Sequence, residues 1–263
     1  MSMLVEAELK VEEKKQLPLV EIISHCYAAE LPQYAAMLIY QASSLVLYKP
    51  SKCDVRLVVC IWDDRDTKEF DPYTRKAIEW VRQLIPCRIL RMKRREIGRR
   101  CIGRNRASLY TWADYVWFAD VDQVFRDGIL DRLVSMPWPD GASMIYPREI
   151  MIHRDWTTGD ERTASIDLDN PCLVEIDSAE FVPKPYRKAI GGVQIVRGDF
   201  TREHGYLNMV PKWHNSTETP FRDFRDDIAY RRFCSKHGSI VGVNLPGLYR
   251  LRHTQTTYQK DKK

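Results

Sequence analysis

Four short apolar runs, at 19–24, 55–62, 88–92 and 115–119, alternate with stretches that carry helical signals, and this alternation constrains the fold more than any other feature of the chain. Each run is nearly continuous in Val, Ile and aromatic residues, the pattern of a strand buried on both faces, whereas a half-exposed strand would alternate apolar with polar. Such strands separated by helices predict a mostly parallel sheet covered on both sides. The clearest helix starts with Asp71 as N-cap and Pro72 at the first helical position, and carries Ala77, Ile78, Val81, Leu84 and Ile85 on one face. The stretch 31–48 is uncharged for 18 residues, close to membrane-span length, yet Pro32, Gln33, Gln41, Ser43 and Ser44 interrupt it. Leu31, Ala35, Leu38, Ala42 and Leu45 recur in it at helical spacing, so it is read as a buried core helix. In a sheet of this kind ligands bind at the C-terminal edge, which makes the residues just past each run the first candidates for function.

The second half is less regular. Residues 147–187 show few periodic signals and many polar, Pro and Trp residues, and are expected to form a long loop or lid over a site. A strand is expected at 189–197, a helix at 223–236 closed by Gly238, and a last strand at 239–244, with a frayed tail at 259–263. No internal repeat or low-complexity linker breaks the 263 residues, which favours one compact domain.

Charge is concentrated. The net charge is +5, but 91–106 alone holds eight basic residues against Glu96, a local +7, so the remainder sums to −2. That arrangement predicts a surface for an anionic partner rather than general solubility. Hydrophobic residues at 44% and charged residues at 29% exclude disordered, collagen-like and membrane-spanning classes. The seven cysteines are odd in number and include no C-x-x-C pair, and Cys60 sits inside an apolar run, which points to a reducing compartment. Residues 1–16 mix Glu and Lys without an apolar core and do not read as a secretory signal, so a cytoplasmic location is expected and the sequon at 215–217 is read as idle.

Asp120-Val121-Asp122 directly follows the apolar run 115–119. At a strand end, residues two apart point to the same side, and two carboxylates with room left for water and phosphate suit Mg2+ or Mn2+. The pattern alone is weak: 21 Asp residues produce roughly one or two D-x-D triplets by chance, and the chain has three. The other two are Asp64-Arg65-Asp66 and Asp167-Leu168-Asp169, neither of which ends a strongly apolar strand.

Over 18–253 the chain resembles the nucleotide-sugar glycosyltransferases of the GT-A fold, the large family-2 type most of all. The resemblance rests on Asp63-Asp64 after the second run, on Gly103-Arg104-Asn105-Arg106-Ala107 opening the helix before the D-x-D strand, and on Asp120-Val121-Asp122. Gly191-Gly192 beginning a later strand, Asp226-Asp227 early in a helix and His253 near the end add to it. It implies a Rossmann-like α/β domain over 18–258, with a nucleotide-sugar-binding half at 18–125 and an acceptor-side, catalytic half at 126–258. The 1–17 segment is then an N-terminal extension. It also implies transfer of a sugar, with inversion, from a UDP or GDP donor to a glycan, lipid-linked or small-molecule acceptor, with a peripheral membrane contact and without nucleic acid.

Residue by residue, the resemblance makes Asp63 or Asp64 the reader of the base and places Arg104 and Asn105 against the nucleotide, where a guanidinium suits a diphosphate. Asp120 would sit near the ribose or a metal-bound water. Asp122 would bind Mn2+ or Mg2+ directly, with His253 as a third protein ligand. Gly191 and Gly192 would let the backbone approach the donor sugar. Asp227 would be the base, with Asp226 beside it. The pair departs from the common Glu-Asp form and no Gln-x-x-Arg-Trp follows, which argues against processive synthesis. Two other classes compete: a Mg2+-dependent phosphoesterase or nuclease built on Asp120, Asp122 and Asp227, and a non-enzymatic polyanion-binding module built on the basic run, which lacks interleaved aromatics for base stacking.

Overall fold

A computed structural model describes residues 16–29, 32–208 and 225–253. The sequon at 215–217, the tail at 259–263 and nearly all of the 1–17 extension lie outside the described residues. The first half follows the predicted alternation: β1 (Leu19–Cys26), α1 (Gln33–Leu47), β2 (Asp54–Asp64), a two-residue β3 (Glu69–Phe70), α2 (Pro72–Leu84), β4 (Cys87–Met92), α3 (Arg94–Ile97), α4 (Arg100–Leu109) and β5 (Tyr115–Phe118). β1 is parallel to β2 on one side and to β5 on the other, and β4 pairs with β2 in parallel. The chain therefore moves outward from β1 to β2 and β4, then returns to the far side of β1. That reversal between β1 and β5 is a topological switch point, where the connecting segments part and leave a crevice at the C-terminal edge.

Both faces of this sheet are covered. Consecutive β1 side chains show it: Ser24 bonds Gln41 of α1, while His25 lies against Gly103 of α4. α1 and α2 pack together on the first side, and α4 meets α3 and two later helices on the second. α2 begins as its sequence dictates, with Asp71 Oδ1 accepting from Tyr73 N and Thr74 N and Pro72 at the first position. Asp71 Oδ2 also accepts from Ala29 N (2.8 Å), so the cap pins the loop after β1. Near the other edge of the sheet a fully buried Glu21 is satisfied by Arg56, Arg88 and the Thr111 hydroxyl.

The second half departs from expectation. Residues 147–187 are no long loop: they hold β8 (Glu149–His153), α6 (Trp156–Ala164) and β9 (Phe181–Pro185), after β6 (Gln123–Phe125), α5 (Ile129–Ser135) and β7 (Ala142–Pro147). The strands β8 and β9 are short, and β9 contains two prolines, so neither carries a readable period. β10 (Gln194–Arg197) follows a 3-10 turn at Gly191–Val193, then come α7 (Gly198–His204), α8 (Asp226–Cys234), β11 (Ser239–Val243) and β12 (Leu248–Arg250). β10 runs antiparallel between β5 and β7, and β11 is parallel to β7, completing a mixed sheet in the order β11-β7-β10-β5-β1-β2-β3. A second sheet, β6-β12-β8-β9, pairs β12 with the strand that follows the D-x-D triplet. Among the described residues no helix is long and apolar enough to cross a membrane.

α4 also corrects a boundary. It starts at Arg100, so Gly103 lies inside it and does not open it. The glycine is needed for packing: a Cβ at 103 would stand 2.3 Å from His25 Nε2 and 2.7 Å from Cys60 Sγ. Ala is the better helix former, but a methyl forced between two fully packed layers costs more than propensity returns. Gly103→Ala is therefore expected to destabilise the protein by about 1–3 kcal/mol in urea unfolding. A variant as stable as the parent would show that the α4–β1 contact relaxes freely.

Candidate active site

β5 ends at Phe118, and the chain turns through Asp120, Val121 and Asp122 into β6. α1 holds this turn. Gln41 Nε2 donates to the carbonyl oxygens of Asp120 (3.1 Å) and Gln123 (3.2 Å), its Oε1 accepts from Ser24, and Ser44 Oγ accepts from Phe125 N (3.0 Å). The polar residues that interrupt the uncharged run thus position the D-x-D triplet, with Ser43 Oγ accepting from Val174 N. Because the strand has already ended, Asp120 and Asp122 lie in a turn, and each meets its own partners.

Asp120 faces α4. Its Oδ1 accepts from Arg100 Nη1 at 2.6 Å and lies 3.5 Å from Arg104 Nη2. Burial by itself would raise the Asp120 carboxyl, but Arg100, then Arg104 and Arg250, hold it down at about 2. Arg104 is fully buried; its Nη1 donates to the Tyr206 hydroxyl (3.2 Å). That hydroxyl donates to Gln194 Oε1, and Gln194 Nε2 donates to the Asp227 carbonyl (3.1 Å), so one network links the triplet to α8. Asn105, expected beside the nucleotide, is occupied elsewhere: its Oδ1 accepts from Tyr206 N and its Nδ2 donates to Asn208.

Asp122 faces β12. Leu251 N donates to the Asp122 carbonyl, Arg250 Nε donates to Oδ2 at 2.8 Å, and His253 Nε2 lies 3.8 Å from the same oxygen. Asp122 is 3% exposed and its Oδ1 has no hydrogen-bond partner. A buried carboxylate oxygen left without a donor is costly unless something fills its place. The three residues expected to bind a divalent ion do not form a ready cage, since Asp120 is turned to the arginines. Among the described residues no three His, Cys, Asp or Glu side chains form one. Asp122 Oδ1 and the His253 imidazole nevertheless suit Mn2+ or Mg2+ as a pair, with other positions open to phosphate and water oxygens.

Gly191 and Gly192 pass directly over these groups. A Cβ on Gly192 would stand 2.7 Å from Asp120 Oδ2, and one on Gly191 would stand 3.4 Å from the Asp227 Cβ and 3.7 Å from the guanidinium nitrogens of Arg100 and Arg104. Asp226 is buried with Oδ2 unpartnered, and its charge adds to that of Asp120 in holding Arg100 protonated. Asp227 is half-buried, its Oδ1 accepting from Ile228 N. Both carboxylates stand in the first turn of α8, complementary to the helix dipole. Farther along the same edge, Asp63 and Asp64 line a cavity of about 380 Å3 together with Asp66, Arg91, Lys93 and Glu96, within the size range of small-molecule sites. Asp63 there pairs with Arg91 and Asp66 with Lys93.

Arg100, Arg250, Gln41 and His25 are site residues that the sequence reading passed over. Arg100 was one of eight basic residues in a run, Arg250 stood among ordinary residues, and Gln41 read as an interruption. The only available signal was Arg100 lying four residues before Arg104, one helical turn away on the same face.

No family model and no curated protein matches the chain. Among solved structures it is similar to the mannosyltransferase PcManGT from Pyrobaculum calidifontis, determined in complex with GDP-Man and Mn2+, with a TM-score of 0.52 and 11% identity over 90% of this chain and 58% of that one. It is similar also to TarS 1–349 from S. aureus, with a TM-score of 0.52 and 12% identity over 88% of this chain and 60% of that one. The chain thus spans about three fifths of the length of these two structures. The fold is the GT-A fold of nucleotide-sugar glycosyltransferases, a mostly parallel central sheet flanked by helices.

His25 has a measurable consequence. It is 4% exposed with neither ring nitrogen partnered, and burial, then Arg104 and Arg100, push its pKa well below the ordinary value of 6.5. The folded protein keeps it neutral while the unfolded chain takes up a proton below 6.5, so stability falls as pH drops, by roughly 1.4 kcal/mol per pH unit for one proton. His25→Leu is expected to flatten the stability–pH curve between pH 6.5 and 5 in denaturant titrations. An unchanged slope would place the proton elsewhere.

Proposed function

We propose that this protein is a metal-dependent glycosyltransferase that moves a sugar from a nucleoside diphosphate donor, UDP- or GDP-linked, to an acceptor hydroxyl with inversion at the sugar carbon. The observation that carries the reading is the convergence on one crevice of three sequence-distant motifs: Asp120 and Asp122 at the switch point, the bare backbone of Gly191-Gly192 against Asp120, and Asp227 against Gly191. A donor seated there would have its base in the Asp63–Asp64 cavity and its sugar under the glycine pair. Arg104, fully buried, positions Asp120 and Tyr206, whereas Arg100, whose side chain is 26% exposed, can reach a diphosphate. Asp122 and His253 would hold Mn2+ or Mg2+, which supplies positive charge for the diphosphate as it leaves. Asp227 takes the proton of the attacking hydroxyl, and the Gln194 bond to its carbonyl keeps the start of α8 in place while it does so.

The competing readings lose support from the same contacts. Five of the eight basic residues in 91–106 pair with carboxylates: Arg91 with Asp63, Lys93 with Asp66, Arg100 and Arg104 with Asp120, and Arg106 with Glu96. A face neutralised in this way is a poor polyanion surface, which argues against the binding module. A phosphoesterase site would want a carboxylate cluster, and Asp120 is committed to arginines.

The test is a thermal-shift panel of nucleoside diphosphates and their sugars with and without Mn2+, beginning with GDP-mannose, which the Pyrobaculum calidifontis mannosyltransferase holds in its complex. A native-state ligand at 100 times its Kd adds about 2.7 kcal/mol of stability. We expect a metal-dependent shift with GDP or UDP that Asp122→Ala abolishes while the variant stays folded; no shift with any nucleotide would refute the reading. Asp227→Asn should keep donor binding and lower kcat by about 10²–10⁴. Transfer at the parental rate would remove Asp227 from the mechanism, and a product with the donor's anomeric configuration would remove inversion.

A further inference from the structure

Arg250 occupies a position that its ion pair with Asp122 does not exhaust. Only Nε is given to Asp122 Oδ2, at 2.8 Å, and the side chain stays 29% exposed while that of Asp122 is 4% exposed. Arg104 differs in kind, fully buried between Asp120 and Tyr206 with no exposed surface to offer a ligand. Arg250 is carried by β12, which pairs with β6 on one side and β8 on the other, so its backbone is fixed and the long side chain is what can move. Asp122 Oδ1 meanwhile waits without a partner beside it, and His253 Nε2 lies 3.8 Å from the oxygen that Arg250 holds.

These facts set two cations in competition for one carboxylate. Like charges at such range repel, so a divalent ion on Asp122 and His253 weakens the Arg250–Asp122 bond. A guanidinium released there stands over the crevice in which a diphosphate would lie, and phosphate oxygens are its best bidentate partner. We propose that Arg250 is an exchangeable counter-ion: it neutralises Asp122 in the empty site and turns to the donor's diphosphate when Asp122 takes a divalent cation. The proposal rests on the glycosyltransferase reading and deepens it. Its consequence is a coupling of opposite signs, in which Arg250 opposes the metal alone and favours the nucleotide with the metal, so that each ligand assists the other.

The experiment compares parent, Arg250→Gln, Arg250→Lys and, as control, Arg252→Gln, whose guanidinium donates to the carbonyl oxygens of His153 and Arg154. Mn2+ binding is followed by electron paramagnetic resonance without nucleotide, and GDP and UDP binding by calorimetry with and without Mn2+. Arg250→Gln should bind Mn2+ alone roughly tenfold tighter, and bind the nucleoside diphosphate with Mn2+ on the order of tenfold to a hundredfold weaker, the worth of a charged hydrogen bond. Arg250→Lys should fall between, and Arg252→Gln should match the parent. A purely structural Arg250 would weaken both ligands together, and that result, or no change in either, overturns the proposal. Tighter Mn2+ with an unchanged nucleotide overturns it too. If Arg250→Gln is unfolded without metal, the Lys variant carries the comparison. A parent that binds neither GDP nor UDP removes the glycosyltransferase reading itself; a parent that binds while the variants bind equally removes only the role of Arg250.

Discussion

Two carboxylates at the end of a buried strand must be neutralised from outside the strand, and most of the architecture around the crevice serves that requirement. Asp120 is met by Arg100 and Arg104 from α4, and Asp122 by Arg250 from β12. Neither helix nor strand is close to the triplet in sequence on both sides: α4 precedes it and β12 follows more than a hundred residues later. Burying a charge without a partner costs several kcal/mol, so each pair ties its element to the site as firmly as apolar packing would. The pairs also create the site's chemistry. They hold the Asp120 carboxyl low and leave one oxygen of Asp122 unclaimed.

The small sheet extends this logic. By pairing β12 between β6 and β8 it delivers Arg250, Leu251 and His253 to the turn after β5, and the Leu251 amide bonds the Asp122 carbonyl directly. α1, which packs against β6, fastens the same turn through Gln41 and Ser44. The turn's backbone is thus held from β12 and from α1 while its side chains point to cations. A rigid backbone beneath exchangeable side-chain partners suits a site that must accept and release charged ligands. The Tyr206–Gln194 relay then carries the position of Arg104 to the first turn of α8, so that Asp227 is placed by the same network that places Asp120.

Much of the first half was legible in the sequence because its causes are local. Continuous apolar runs mark strands buried on both faces, and Asp71-Pro72 marks a helix start whatever surrounds it. The second half was not. β8 and β9 are short and β9 holds two prolines, so neither carries a period, and they join a sheet because β12 arrives to pair with β8, which pairs in turn with β9. The helix bearing Arg104 was placed three residues late, since Arg100 to Ile102 give no N-terminal signal and Arg99 makes no side-chain cap bond.

What the sequence by itself determined was the set of chemical groups and the edge of the sheet on which they stand: Asp63 and Asp64 at the end of β2, Asp120 and Asp122 after β5, a glycine pair, an acidic pair at a helix start, and a histidine late in the chain. Periodicity and caps are properties of neighbouring residues, so they survive in one dimension. Tertiary structure alone decided which charges meet. It paired five residues of the densest basic run with carboxylates, gave Arg104 a buried positioning place, sent Asn105 to Tyr206 and Asn208, and brought Arg250 to Asp122. The physical reason is that an ion pair is set by distance and burial in space, and spacing along the chain encodes neither once residues are separated by more than a helical turn.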